Sequence, residues 1–166
     1  MVYNIHIMTT YTPSKYVLGI DSAVLAFSVL KSLGAGDVTT FSQRLKSQKM
    51  QYLAQVFGVS PAYDFSLYIH GPYSPTFAKD LFTLHTDKQV PGSVEFVPDE
   101  LKERYKLLST FVTDKTNRQL ELITTAHLFK KGLSYPEKTI IERLQEWKKA
   151  SSVEITECLK ELNQIP

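Results

Sequence analysis

Helix punctuation constrains this chain more than any other feature of its sequence. Thr40 with Gln43, and Ser151 with Glu154, have the spacing of a capping box, in which two side chains satisfy free amides of a helix's first turn. Ser74-Pro75 places an N-cap residue before a proline in the first turn, where its missing amide does no harm. Ser134-Tyr135-Pro136-Glu137 combines both signals. Starts spaced this closely describe a chain of short helices.

The apolar positions agree with that division. A helix beginning near residue 14 or 21 runs to Leu33, with Val24, Leu25, Phe27, Leu30 and Leu33 on a broad apolar face and Gly34 and Gly36 ending it. The helix over 40–57 lines up Phe41, Leu45, Tyr52, Leu53 and Val56 before Gly58. Residues 65–70 alternate apolar and polar positions, as a half-buried strand does, until Gly71 and Pro72 stop it. From Ser74 a helix carries Phe77, Leu81 and Leu84 inward, and 85–98, with Pro91, Gly92 and Pro98, reads as a loop or small hairpin. Three or four helices follow, over 99–113 with Leu101, Tyr105, Leu108 and Phe111; 117–131 with Leu120, Ile123, His127 and Leu128; a stretch ending at Trp147 with Ile140, Ile141 and Leu144; and a last with Ile155, Leu159 and Leu162.

The expected fold is therefore mainly α, of the α+β kind: a compact domain of about six to seven helices with a small β-hairpin or short sheet. A winged-helix arrangement is one form it can take. Residues 1–13, rich in Tyr, Thr and Ile, form an N-terminal arm, and 14–166 form one helical domain, with no internal repeat or linker. A chain of 166 residues with 43% hydrophobic and 22% charged residues has enough apolar material for such a core.

Composition bounds the partners. A net charge of +2 supplies no global field toward nucleic acid or anionic membrane. The longest apolar run, 17–33, is interrupted by Asp21, Lys31 and several small polar residues, so no membrane partner is expected. A single cysteine, Cys158, rules out an internal disulfide, and the N-terminus lacks the order of a signal peptide; the expected location is cytoplasmic.

Catalytic patterns are missing from the sequence. Cys158 sits on the apolar side of a late helix, the setting of a small core residue and not of an activated thiolate. The four histidines are scattered, without the i, i+4 pairing of a metal site, and no cofactor is expected. His70, Asp80 and His85 are the one set that a fold can bring together for acid–base work. Gly34-Ala35-Gly36-Asp37 follows a helix and lacks the Lys-Ser/Thr of a phosphate-binding loop, so a helix-ending turn explains it.

Two features suggest binding instead. Lys31, Arg44, Lys46 and Lys49 lie close in sequence, and no acidic residue falls between Asp37 and Asp64, so the helix over 40–57 is expected to present a positive outer face. Lys130-Lys131 and Lys148-Lys149 end their helices, where cations complement the helix dipole and need no partner. The corner His70-Gly71-Pro72-Tyr73-Ser74-Pro75 turns a strand into a helix and is expected to display Tyr73 at its tip, beside a helix N-terminus.

These two features carry a resemblance. Residues 44–55 look like the "LQKLxYxxQ" helix of the YwgA-like and Panacea (SocA-type) antitoxin domains, and 68–81 look like their "YGPYSxxLxxDL" segment, at matching separation. A similar pair occurs in the toxin-neutralising C-terminal domain of antitoxins that oppose DNA ADP-ribosylating toxins. Residues 120–127 resemble the group's "LELxATxxxL" helix. Ser47 stands where the family has an apolar or basic residue, and 84–97 departs from the common pattern. The resemblance implies a helical domain with a small β element, no catalytic residues, and a role in neutralising a toxin or in regulation.

The expected function is thus a non-catalytic, antitoxin-like or regulatory module that binds a partner protein. Its candidate contact residues are Arg44, Lys46, Lys49, Tyr52, His70, Gly71, Pro72, Tyr73 and Ser74. The alternative is a winged-helix transcriptional regulator, with 40–57 reading DNA and 85–97 as the wing. A homodimer is compatible with the apolar late helices.

Overall fold

The computed structural model describes residues 22–85 and 99–166. Seven α-helices and one two-stranded antiparallel sheet make up the described residues: α1 (Ser22–Ser32), α2 (Phe41–Val56), β1 (Ser66–Tyr68), β2 (Gly71–Tyr73), α3 (Pro75–His85), α4 (Asp99–Val112), α5 (Asn117–His127), α6 (Glu137–Lys148) and α7 (Ser152–Leu162). The mainly helical expectation with a small hairpin holds. The arm at 1–13, the helix start before Ser22, and the loop or wing at 86–98 lie outside the described residues.

The caps act where the sequence places them. Thr40 opens α2 and Ser151 opens α7 with complete capping boxes, and a third box, Thr116 with Gln119, opens α5. The Ser74 hydroxyl accepts the Phe77 amide at 3.3 Å at the head of α3. Ser134 differs from expectation. Its backbone is left-handed at φ 54°, and α6 starts from Pro136 with no side-chain cap. The reason lies upstream: α5 continues as a wider π turn over Leu128–Gly132, and closing that turn takes the chain through the left-handed region at Ser134 before α6 begins.

One cluster of buried apolar residues reaches every helix, from Leu25 and Leu30 of α1 through Tyr52 and Leu53 of α2, Phe77 of α3, Leu108 of α4 and Ile140 of α6 to Ile155 and Leu162 of α7. Its centre is α5, where Leu120, Leu122, Ile123, Thr124, Thr125, Ala126 and His127 are all buried. A helix enclosed on nearly every side lies in the middle of the fold. Helix α5 packs on α2, on α7 and on β2. None of the described helices is long and apolar enough to cross a membrane.

The hairpin is shifted from its expected place. Gly71 and Pro72 do not merely stop a strand; they begin the second one, with Ser66 opposite Tyr73, Leu67 opposite Pro72 and Tyr68 opposite Gly71. The turn between the strands is Ile69-His70. Tyr73 is therefore half-buried within β2, and the tip belongs to Ile69 and His70.

Candidate partner-binding site

The site is built on α2, a helix whose middle buries polar side chains. Ser47, Gln48, Lys49, Gln51 and Gln55 are each at most 3% exposed. A polar group buried without a hydrogen bond costs several kcal/mol, so each demands a partner. Each has one in the non-helical chain around it. Ser47 Oγ accepts from the Gly36 amide at 3.0 Å. Gln48 accepts from the Ser74 amide at 3.0 Å and donates to the Ser74 carbonyl at 3.1 Å. Gln51 donates to the Pro61 carbonyl and accepts from the Ser60 hydroxyl, both at 3.0 Å. Gln55 closes the same two-way bond on Tyr63, accepting at 2.9 Å and donating at 3.2 Å. The side-chain amides of α2 thus hold the non-strand residues Ser60, Pro61, Tyr63 and Ser74 on either side of the hairpin.

Lysines complete the anchoring. Lys49 Nζ donates to the Pro72 carbonyl at 2.7 Å, on one side of the hairpin turn. Lys148, at the end of α6, donates to the Ile69 carbonyl within the turn, and to Glu121 Oε1 of α5 at 2.7 Å. Glu121 Oε2 lies 4.0 Å from His70 Nδ1. Two buried lysines therefore lie near one carboxylate under the hairpin, and Lys148 is the one paired with it. Burial pushes the Lys49 amine down to about 7; Glu121 opposes that shift and the nearby Lys148 charge adds to it. Lys148 is also shifted down by burial, with its hydrogen bond to Glu121 working the other way.

This arrangement corrects several expectations. Lys49 is 2% exposed and so is not on a positive outer face, and Tyr52, a candidate contact residue, is fully buried. The Tyr52 hydroxyl instead meets His127 Nδ1 at 2.8 Å inside the core. Gly71, Pro72 and Ser74 are buried as well. Arg44 gives Nη1 to the Val38 carbonyl at 2.9 Å, and Lys46 reaches the Gly34 carbonyl at 3.5 Å. Lys148, expected to need no partner, is one of the two hairpin anchors. Of the nine expected contact residues, Arg44, Lys46, His70 and Tyr73 remain at least partly accessible.

The accessible surface gathers elsewhere, at residues the sequence pattern points away from. Ile69 is 85% exposed, although the alternation of Phe65 and Leu67 would send it inward; the turn that begins there breaks the alternation. Phe41, expected on the apolar face of α2, is 55% exposed. Its ring meets His70 edge-on at 5.4 Å, and the Arg44 guanidinium lies 5.8 Å from its centroid. Tyr68, also exposed, packs on Tyr73 at 5.0 Å. Phe41, Tyr68, Ile69, His70 and Tyr73 thus link the head of α2 to both strands of the hairpin. No sequence signal marks Ile69 and Phe41, because both occupy apolar positions of regular patterns.

Each residue of the His70, Asp80 and His85 set has a different neighbour. Asp80 accepts from the Tyr63 hydroxyl at 3.0 Å, His85 Nδ1 lies 3.4 Å from the Gly36 carbonyl, and His70 faces Glu121. Cys158 is buried, which pushes its thiol up to about 12, with Glu161 adding to the shift. Among the described residues no three His, Cys, Asp or Glu side chains stand together as metal ligands. A cleft of about 270 Å3 between α5 and α7 has charged walls that pair with each other, Arg118 with Glu154 at 2.8 Å and Lys115 with Glu161 at 3.0 Å. Comparison with protein-family models, with curated proteins and with solved structures returned no match for this chain.

Proposed function

We propose that this chain is a non-catalytic protein-binding module, antitoxin-like or regulatory, which docks a partner protein on the hairpin tip and the adjoining Phe41. The observation that carries the proposal is Ile69, 85% exposed on a turn whose own carbonyl is held by the buried Lys148. A large apolar side chain facing water on a loose loop is commonplace. On a hairpin fixed from below by two buried lysines it is a preorganised anchor, because little conformational entropy remains to be lost on binding. The surrounding aromatic rings add the contact area on which interface energy concentrates. The resemblance to Panacea-type antitoxins points to a toxin, encoded beside this chain, as the partner class.

The test is affinity capture of the tagged protein from its native host, with and without nuclease, in wild type and in Ile69→Asp. One dominant, nuclease-resistant protein that is lost with the substitution is the expected result. Capture unaffected by Ile69→Asp overturns the proposal. Recovery that vanishes with nuclease, and that is lost when Arg44 and Lys46 are both replaced by Ala, makes the chain a nucleic-acid binder instead. A concentration-dependent dimer abolished by Ile69→Asp makes the partner a second copy.

A further inference from the structure

The hairpin is seated on the helices beneath it with few buried apolar side chains of its own. Between Ser66 and Tyr73 these are Leu67 and Pro72, while Tyr68, Ile69 and His70 are exposed. Seating uses Lys49 Nζ at the Pro72 carbonyl, 2.7 Å, and Lys148 at the Ile69 carbonyl. Both ends are held separately. Phe65 is buried against the Tyr52 ring at 5.3 Å, and Ser74 is clamped by its two-way bond with Gln48. Helices α2 and α5 also pack on each other directly, so lifting residues 66–73 leaves that pair in place. A short segment with few buried apolar contacts, between fixed ends, is a unit that opens by itself.

The seated hairpin places Lys49 badly for carrying a charge. The residue is 2% exposed, and among the described residues its Nζ has one hydrogen-bond acceptor, the Pro72 carbonyl, for the three N–H groups of an ammonium. Glu121 of α5 is already paired with Lys148 of α6 at 2.7 Å and meets His70 of the turn at 4.0 Å. The charges that act on Lys49 are Glu121, which favours the ammonium, and Lys148, which opposes it. Of the other titratable groups of α5, Arg118 pairs with Glu154 and His127 meets Tyr52. Strand β2 contributes Tyr73. Helices α1 and α4, also packed on α2, keep Lys31, Glu103 and Lys106 exposed and pair Lys102 with Asp99 and Arg104 with Glu100. Burial outweighs the carboxylate and holds the amine at about 7.

We propose that the hairpin is a proton-coupled latch, seated on α2 over a neutral Lys49 amine and lifted when that amine takes a proton from water. Seating returns the proton to solvent, and the neutral amine still donates to the Pro72 carbonyl. The Lys148–Glu121 pair keeps its charges in both states. The sign follows from which state binds the proton. Once lifted and hydrated, Lys49 regains its ordinary value of 10.5, so between about 7 and 10.5 the lifted state holds the proton and rising pH favours seating, up to tenfold per unit. Below about 7 both states carry the proton and the dependence ends. Ile69 and its neighbours ride on this hairpin, so a partner that docks on the tip binds more weakly near pH 7 than near pH 9. That consequence rests on the docking role of the tip; the latch does not.

The test is amide hydrogen exchange of the full chain, followed by NMR in the cold at pH 7.5 and 8.5, each rate divided by that of an unfolded peptide at the same pH. The amides of Tyr68, Gly71 and Tyr73 are expected to exchange through an opening more populated than the one that exposes Leu122 and Ile123 of the buried α5. The hairpin opening should become roughly five- to tenfold rarer from pH 7.5 to 8.5. Lys49→Met, which keeps the chain neutral, should remove that pH dependence. A second measurement needs no variant: the Lys49 Cε shift in the wild type should titrate near 7. Hairpin amides that exchange only together with those of α5 overturn the latch. So does a hairpin opening that is constant between the two pH values, one that keeps its pH dependence in Lys49→Met, or a Lys49 titration near 10.5. None of these readings involves a partner, and the role of the tip is decided separately, by the capture experiment with Ile69→Asp.

Discussion

Gly71 shows how closely the hairpin is fitted to α5. Its φ of +86° is one that L side chains rarely adopt, and a Cβ placed there would lie 2.6 Å from Thr125 Oγ1. That hydroxyl is itself buried with no hydrogen-bond partner among the described residues. Gly71→Ala should therefore destabilise the protein by about 2 kcal/mol or more, read by urea denaturation, from backbone strain and the clash together. Thr125→Ala removes the atom in the way, so the double variant should lose less stability than the two single changes sum to. Strict additivity would show that the strain is all in the backbone. Lys148 gives a second prediction at this scale. Replacing it by Met leaves Glu121, 17% exposed, without its 2.7 Å ion partner and frees the Ile69 carbonyl. A loss of about 2–3 kcal/mol is expected, partly recovered by adding Glu121→Gln. A loss confined to a few tenths would mean that water replaces the ammonium at no cost.

Among the elements, the helices were legible because their starts are written in local chemistry. A capping box depends on side chains three residues apart, and Thr40 and Ser151 act as their spacing says. Thr116 acts in the same way at the head of α5, where the next residue, Asn117, also donates to Ser42 Oγ at 2.6 Å and ties α5 to α2. Thr116→Ala should cost about 1 kcal/mol in urea denaturation and leave the native spectrum unchanged. A change below a few tenths would assign the helix start to tertiary packing alone. The elements that were not legible depend on distant partners. Strand β2 carries a proline and lies in a sheet of two three-residue strands; it is held by α2 through Lys49, with Gln48 fixing the adjoining Ser74, and it packs on α5, and no local pattern encodes that. The same holds for the site. A lysine on an amphipathic helix reads as solvated because burying one is rare, and only the Pro72 carbonyl, 23 residues away, explains Lys49. The motif that carries the family resemblance, Gln48, Lys49 and Tyr52 with the 71–74 corner, is in this fold the joint between α2 and the hairpin.

At the scale of the whole molecule, the buried titratable groups set one curve of stability against pH, and its sign follows from which state binds protons more tightly. Lys49 has a folded value of about 7 against 10.5 unfolded, so between those limits the unfolded chain binds the extra proton and stability rises with pH. His127, pushed down to about 4 by burial with the Lys131 charge adding, acts in the same direction between about 4 and 6.5. Glu154, held down to about 2 chiefly by the hydrogen bond from Arg118, contributes stability that is lost as pH falls from about 4.5 toward 2. Two groups turn the curve over. Cys158, raised from 9.0 to about 12, and Tyr52, also raised by burial, keep their protons in the folded state when the unfolded chain has released them. Their contribution is present below the unfolded values and is lost as pH climbs through 9 and above. Stability should therefore increase from pH 5 to a maximum near pH 9 and then decline, with Lys49 alone giving a slope of up to about 1.4 kcal/mol per pH unit in its window. Urea midpoints at pH 5, 7, 9 and 10.5 measure the curve directly. Lys49→Met should flatten the rise between 7 and 9 while leaving the rise below 6.5 in place, because His127 lies in a different part of the core, against Tyr52. A wild-type maximum at pH 6–7, or an unchanged rise above pH 7 in the Lys49 variant, would mean that the ammonium is stabilised under the hairpin by more than Glu121.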